Sequence, residues 1–420
     1  MARPQELVQV SSRPASGVRP RHRAYVLLSV GTSALLLLYV VVPARGLDPA
    51  EYSRFASLFG IVVLLGVVFT GVQTYVAGSL AGAGAEGRTS VARAIRARVA
   101  RWCATLVGVL ALSAPLMSGA LRTSLASVAL VGVLSTLTLV WAAMLGVLQG
   151  DQRFVALGAV NATQALLRLL AVAAVIRFQS VDLILAATVL SMIPALALAV
   201  VVARPFGATG LDFDDDPRRE FTLQRSLPAF VVAFVVGFPT VGDVVLARTS
   251  LSAEAAGNIA VISIAGRVSV FFAAMIAVVV YPRFVRAAHD PRGHVLVLQA
   301  TGLVAAVAAP VTGVVLWQRS LALVMLSGEA RPDALTLLPW YLLASLLFAL
   351  AIPGCFYRLA RAHSPSGTMV LLPAIVAMIA FGLWVDEPQP FVIGFVVAAA
   401  ILAVTVAVLV AASAVREGQA

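Results

Sequence analysis

Three ionisable side chains, Arg168, Asp243 and Arg267, sit well inside long apolar stretches of this 420-residue sequence. A charge in the middle of a membrane helix costs roughly 2.5 to 3.5 kcal/mol on insertion scales, so each of the three calls for a role. Arginine presents a planar fork of donors that meets phosphate or carboxylate oxygens two at a time and does not lose its proton, which suits recognition of an anion. An aspartate taken out of water either takes up a proton or stays charged and holds a cation. Asn161, Gln164 and Arg168 follow i, i+3, i+7 spacing and therefore share one helix face. The pattern is one of binding and ion handling. There is no His/Asp/Glu metal cluster, no glycine-rich phosphate loop and no nucleophile triad in the sequence. Catalysis, a metal and a cofactor are accordingly not expected.

Each candidate has a plainer alternative. Asn161, Gln164 and Arg168 are also suited to a hydrogen-bond cluster that holds their helix to its neighbours. Arg267, beside Gly266 and after Ser263, is equally suited to a buried ion pair with Asp243. Asp243, one turn beyond Pro239 and Thr240, is also within helical reach of Arg248 and would pair with it if the helix ended early. Arg168 lies about eight residues from the nearer end of its run, about 12 Å at 1.5 Å per residue, too deep for simple snorkelling. With Arg168 in the first part of the chain and Arg267 in the second, the expectation is a cationic cavity shared between them.

The elements that must position these residues are membrane helices. Of the residues, 61% are hydrophobic and 12% charged, against about 45 to 50% and about 25% in soluble domains. Apolar runs fall at 24–42, 55–80, 102–120, 125–148, 154–176 and 183–203, then at 226–247, 257–281, 295–316, 335–356, 367–385 and 391–415. About twelve spans of about 20 residues nearly exhaust the apolar stock, which excludes a sizeable soluble catalytic domain. The first run is longer than the usual apolar core of a signal peptide, about 7 to 15 residues, and is read as a helix. Prolines at 115, 194, 228, 239, 310, 339, 353 and 373 predict bent helices.

The 30 basic residues are all arginine and outnumber 19 acidic ones. They are scattered between apolar runs and lack the aromatic-lined basic face that nucleic acid requires, so no nucleic-acid partner is expected. Seven of them (Arg45, Arg54, Arg122, Arg177, Arg248, Arg319 and Arg331) lie on one side of the predicted membrane and 21 on the other, with two inside helices. The positive-inside rule then predicts both termini in the cytoplasm. Cys103 and Cys355 both fall in or beside apolar runs and form no disulfide or zinc framework.

An internal echo organises the chain. Ala44, Arg45, Ala50 and Glu51 recur as Ala247, Arg248, Ala253 and Glu254 at an offset of 203 residues without a gap. The expected domains are a cytoplasmic tail at 1–23, a six-helix lobe at 24–203, a cytoplasmic linker at 204–225, a second six-helix lobe at 226–415 and a tail at 416–420. Each lobe crosses an even number of times, so the two share one orientation and are related by an axis along the membrane normal. The linker, with Asp212, Asp214, Asp215, Asp216 and Glu220 among arginines, reads as a solvated tether.

Several stretches resemble the polysaccharide-transporter branch of the multidrug/oligosaccharidyl-lipid/polysaccharide (MOP) flippase superfamily. They are Gln149, Gly150, Gln152, Arg153 and Phe154 leading to Arg168, the run from Pro228 to Asp243, the 252–257 turn, Gly266 with Arg267, and Tyr281 with Pro282. The resemblance implies an all-α polytopic membrane protein of about twelve transmembrane helices in two six-helix lobes around a central cavity, the fold also of multidrug exporters. It implies a flippase that moves a lipid-linked oligosaccharide of the undecaprenyl-pyrophosphate type across the bacterial inner membrane, among membrane lipids and glycan-assembly proteins. Arg168 and Arg267, with Asn161 and Gln164, become candidate substrate contacts and Asp243 a candidate coupling residue. The alternative is a cation-coupled small-molecule exporter of the same fold. The first run lacks the acidic residue expected of such an exporter, and also the arginines expected at the cavity entrance of a lipid II flippase. The longest segment on the external side, 317–334, holds only a semi-apolar patch at 321–326, which counts against polymerases and ligases of lipid-linked glycans.

Overall fold

The computed structural model describes residues 19–81, 88–203, 223–287, 293–361 and 366–418. The greater part of the expected N-terminal tail and linker, and the last two residues of the C-terminal tail, lie outside the described residues. The described chain is all-α and polytopic. Its first part forms α1 (Arg19–Gly46), α2 (Pro49–Ala81), α3 (Arg88–Ala120), α4 (Leu125–Gly150), α5 (Phe154–Val175) and α6 (Val181–Val202). Its second part forms α7 (Leu223–Gly237), α8 (Gly242–Ser250), α9 (Ala253–Arg286), α10 (Gly293–Trp317) and α11 (Arg319–Ser327), then α12 (Pro332–Arg361), α13 (Ser366–Met369), α14 (Leu372–Trp384) and α15 (Pro388–Gly418).

Ten of these helices, among the described residues, are long and apolar enough to cross a membrane. The seventh and eleventh runs, each expected as one bent helix, are divided into separate helices, and in both a proline is responsible. Proline has no N–H to donate and its ring crowds the preceding turn. At Pro239 the helix gives way to a single 3-10 turn, Phe238–Thr240, and α8 restarts with its axis turned by 56°. At Pro373, which sits in the first turn of α14, the eleventh run divides into α13 and α14. With 13 residues α14 is about 20 Å long, short of the hydrocarbon thickness of about 30 Å. The two pieces of the seventh run together are still long and apolar enough to cross a membrane.

Helix starts at the end of the bundle away from Arg19, called here the distal end, are capped by side chains. Ser124, Ser180 and Ser252 accept from the backbone N–H of Ser127, Leu183 and Ala255 and so begin α4, α6 and α9. Asp48 accepts from Glu51 N–H at 2.8 Å to begin α2. These caps satisfy donors that the first helical turn leaves free.

The first half packs α1 along α5 and α2 along α4, with α6 against α4 and α5, and α3 riding on α4. In the second half α12 is central, touching α9, α10 and α15, while α14 lies between α15 and α8. Between lipid-like tails and apolar side chains there is little hydrophobic driving force, so close van der Waals fit holds membrane helices together. Aromatic rings supply much of it. Phe55 stacks on Phe59 beside Tyr39 in the first half, and Phe391 on Phe395 beside Tyr341 in the second. Large apolar side chains, Leu112 and Leu116 on α3 among them, are exposed on the outside of the bundle, as suits a surface facing lipid. The halves meet mainly where α2 passes α7, α8 and α9. α11, built from the semi-apolar patch that the sequence left in a loop, tucks Leu323 inward and packs on α1 of the other half as well as on α9, α10 and α12.

Candidate functional site

The break at Pro239 decides where Asp243 goes. Restarting as α8 places it in the first helical turn, where the positive end of the helix favours a carboxylate. The residue is fully buried. Its Oδ2 accepts from the Tyr341 hydroxyl of α12 at 2.5 Å, and its Oδ1 has no hydrogen-bond partner. Neither pairing considered from sequence forms: no ion pair within 4.0 Å joins Asp243 to Arg267, and Arg248 is engaged elsewhere. Asp243 is therefore buried without an ion pair among the described residues.

Arg267, on α9, lies within electrostatic reach of Asp243. It is half-buried, and its Nε has no partner. Together with Pro239, Thr240, Tyr341, Ser345 and Phe395 it lines a small pocket of about 10 Å³, on the scale of one water molecule. A Cβ at Gly266 would collide with the Ser345 hydroxyl, so the glycine beside Arg267 is what lets α9 and α12 close to this distance. Tyr52, from α2 of the first half, is buried with an unpartnered hydroxyl and is within electrostatic reach of both Asp243 and Arg267. Buried polar atoms in folded proteins are rarely left without partners, so several in one neighbourhood mark a place where water, an ion or a ligand group fits.

Arg168 is built into the first half. Its guanidinium lies 5.4 Å from the Tyr39 ring and 5.8 Å from the Phe59 ring, cation–π distances that hold it between α1, α2 and α5. Its Nη2 and the Gln164 amide both point at Met192 Sδ on α6, at 3.5 and 3.1 Å. The Tyr39 hydroxyl meets Thr188 at 3.1 Å. Arg168 Nε, like that of Arg267, has no partner. The predicted face is real for Gln164 and Arg168, which share one acceptor. Asn161 is half-buried and makes no hydrogen bond with either. Arg168 is not among the residues that line the small pocket beside Arg267.

Sequence reasoning passed over Tyr39, Tyr52, Tyr341 and Met192, because an aromatic ring or a thioether in an apolar run is indistinguishable from core filling. Histidine, cysteine, aspartate and glutamate form no group able to hold a metal among the described residues.

Neither a family model nor a curated protein matches the chain in sequence. Solved structures do match in fold. A multidrug resistance MATE family transporter of the MOP superfamily in an inward-facing conformation aligns at TM-score 0.66 and 15% identity, covering 90% of this chain and 94% of that one. The lipid II flippase MurJ, in an inward closed conformation, aligns at TM-score 0.66 and 14% identity, covering 92% and 87%. The outward-facing form of a MATE family transporter aligns at 0.61 and 16%, covering 95% and 97%. The fold is thus that of MATE and MOP-superfamily membrane transporters, over nearly the whole chain.

Proposed function

We propose that the protein is a flippase that moves a lipid-linked oligosaccharide of the undecaprenyl-pyrophosphate type across the bacterial inner membrane by alternating access, and is not an enzyme. In this reading both termini are cytoplasmic, the distal end is external, and the stretch at 204–225 tethers two six-helix lobes. The observation that carries it is Arg267. A guanidinium within a long membrane helix, half-buried at a pocket, with no ion pair to the nearby carboxylate, is a cation held ready for an anion such as a pyrophosphate. Arg168, with Gln164 and Asn161, forms a second cationic position for the anionic group or an acidic sugar. The likeness in fold to the lipid II flippase MurJ supports a lipid-linked substrate, and surrounding lipids and glycan-assembly proteins are the expected partners.

Asp243 is proposed as the residue through which an ion or proton gradient acts. The same residue favours a second reading, a cation-coupled exporter of small molecules: a carboxylate oxygen without a hydrogen-bond partner, beside a tyrosine hydroxyl, can seat a cation. Deleting the gene separates the two. The flippase reading expects lipid-linked glycan trapped on the cytoplasmic leaflet and loss of surface polymer. Drug sensitivity with normal surface polymer would replace it by the exporter reading.

A further inference from the structure

At the distal end a buried arginine of the second half bonds to the first. Arg248, in the last turn of α8, is 7% exposed. Its Nη1 donates to Ser53 Oγ of α2 at 2.8 Å and its Nε to the Leu121 carbonyl at 3.1 Å. Its Nη2 reaches the Arg122 carbonyl at 3.4 Å, and Arg122 Nη1 returns a bond to the Leu251 carbonyl at 3.4 Å. All the acceptors of Arg248 belong to the first half, and two are main-chain oxygens at the end of α3. The Leu121 and Arg122 carbonyls are presented by a turn in which Arg122 adopts φ 49°, a left-handed conformation that a side chain other than glycine or asparagine rarely takes. Beside it, a Cβ at Gly257 would strike the Pro49 carbonyl, so α9 approaches the start of α2 with no room to spare.

The internal echo sharpens the point. Arg45 and Arg248 occupy equivalent places in the two repeats, yet Arg45 is exposed. The burial of Arg248 is therefore not a demand of the repeat; it exists only because the other half is there to receive it.

We infer that Arg248 is the latch of the distal gate, the residue that holds the two halves closed on that side and must release for the bundle to open there. The inference rests on the alternating-access reading above. Closed, the guanidinium is desolvated but each of its three bonded nitrogens has an oxygen to meet. Parted, the acceptors leave with the first half and water replaces them, so release is reversible and the closed state is favoured by the charge-assisted bonds.

The test is a distance measurement without substrate, so that its outcome is independent of what the protein carries. Cys103 and Cys355 are replaced by alanine, and spin labels are placed at Leu125→Cys and Glu254→Cys, both exposed and on opposite sides of the seam. Pulsed electron resonance in lipid nanodiscs then reads the closed and open separations. Arg248→Ala is expected to raise the open-to-closed ratio by about tenfold or more, the equivalent of one charge-assisted bond. Arg248→Lys is expected to give a smaller rise, because an ammonium cannot span three acceptors in the guanidinium's geometry. Ser53→Ala, which removes one acceptor and leaves the charge, should also raise it. An unchanged distribution in folded, monodisperse Arg248→Ala overturns the latch. Should that variant fail to fold, an unchanged distribution in both Arg248→Lys and Ser53→Ala overturns it equally.

Discussion

Tyr341 donates its hydroxyl to Asp243 Oδ2 across 98 positions of sequence, and the other carboxylate oxygen is left without a partner. One side-chain bond from α12 thus holds Asp243, the one carboxylate fully buried among the described residues. Asp243→Asn keeps the shape and an acceptor for Tyr341 while removing titration. Reconstituted Asp243→Asn protein is expected to bind substrate normally and to lose gradient-driven flipping. Unchanged dependence on the gradient would assign the residue to structure alone.

Tyr341→Phe removes the bond but keeps the ring against Phe395. A buried carboxylate then loses its one side-chain partner, and the expected loss of stability is about 1 to 3 kcal/mol. A thermal melt in detergent measures it. Asp243→Asn combined with Tyr341→Phe should cost less than the sum of the two, because the first change removes most of what the second leaves unsatisfied.

Arg267→Gln and Arg168→Gln test the anion contacts. Loss of a charge-assisted bond to a phosphate corresponds to about 1.5 to 3 kcal/mol, roughly a ten- to 150-fold fall in transport, at normal abundance in the membrane. A variant that transports at the wild-type rate, or that fails to accumulate, shows a structural arginine instead. Arg168 is the more exposed to that outcome, since aromatic rings and Met192 already enclose it.

Gly257→Ala places a methyl group against the Pro49 carbonyl and forces α9 away from α2. Overpacking of this kind costs about 1 to 3 kcal/mol. Gly108→Ala is the control, because nothing lies within 4 Å of its Cβ. The melting temperature should fall for the first and hold for the second.

Topology is checked by reporter fusions. A reporter inserted after Arg248 should behave as external and one after Arg286 as internal, as the arginine asymmetry requires. The reverse at either site invalidates the orientation and with it the external placing of the distal gate.

Hydropathy along the chain determined that this is a multi-pass helical membrane protein, where ten of its spans run, and which three charges would need explaining. Those properties are local: a segment's cost in hydrocarbon depends on its own twenty side chains and hardly on its neighbours. Pro239 and Pro373 were visible as bends, but an angle of 56° and a division into two short helices were not, since surrounding helices decide whether a freed carbonyl is re-satisfied or the helix breaks.

What only the tertiary structure decided is who meets whom. Asp243 had two arginines as natural partners in sequence and took a tyrosine. Arg248 passed for a topology signal and proved to bind the other half at Ser53, 195 positions away, and at the Leu121 carbonyl, 127 away. Arg168 is enclosed by Tyr39, Phe59 and Met192 of the first half, neighbours that its sequence position did not announce. Such contacts depend on the packing of helices far apart in the chain, where a glycine such as Gly257 or Gly266 sets the approach. A side chain's depth in the membrane can be counted from sequence, but the neighbour it faces is settled only when the helices close around it.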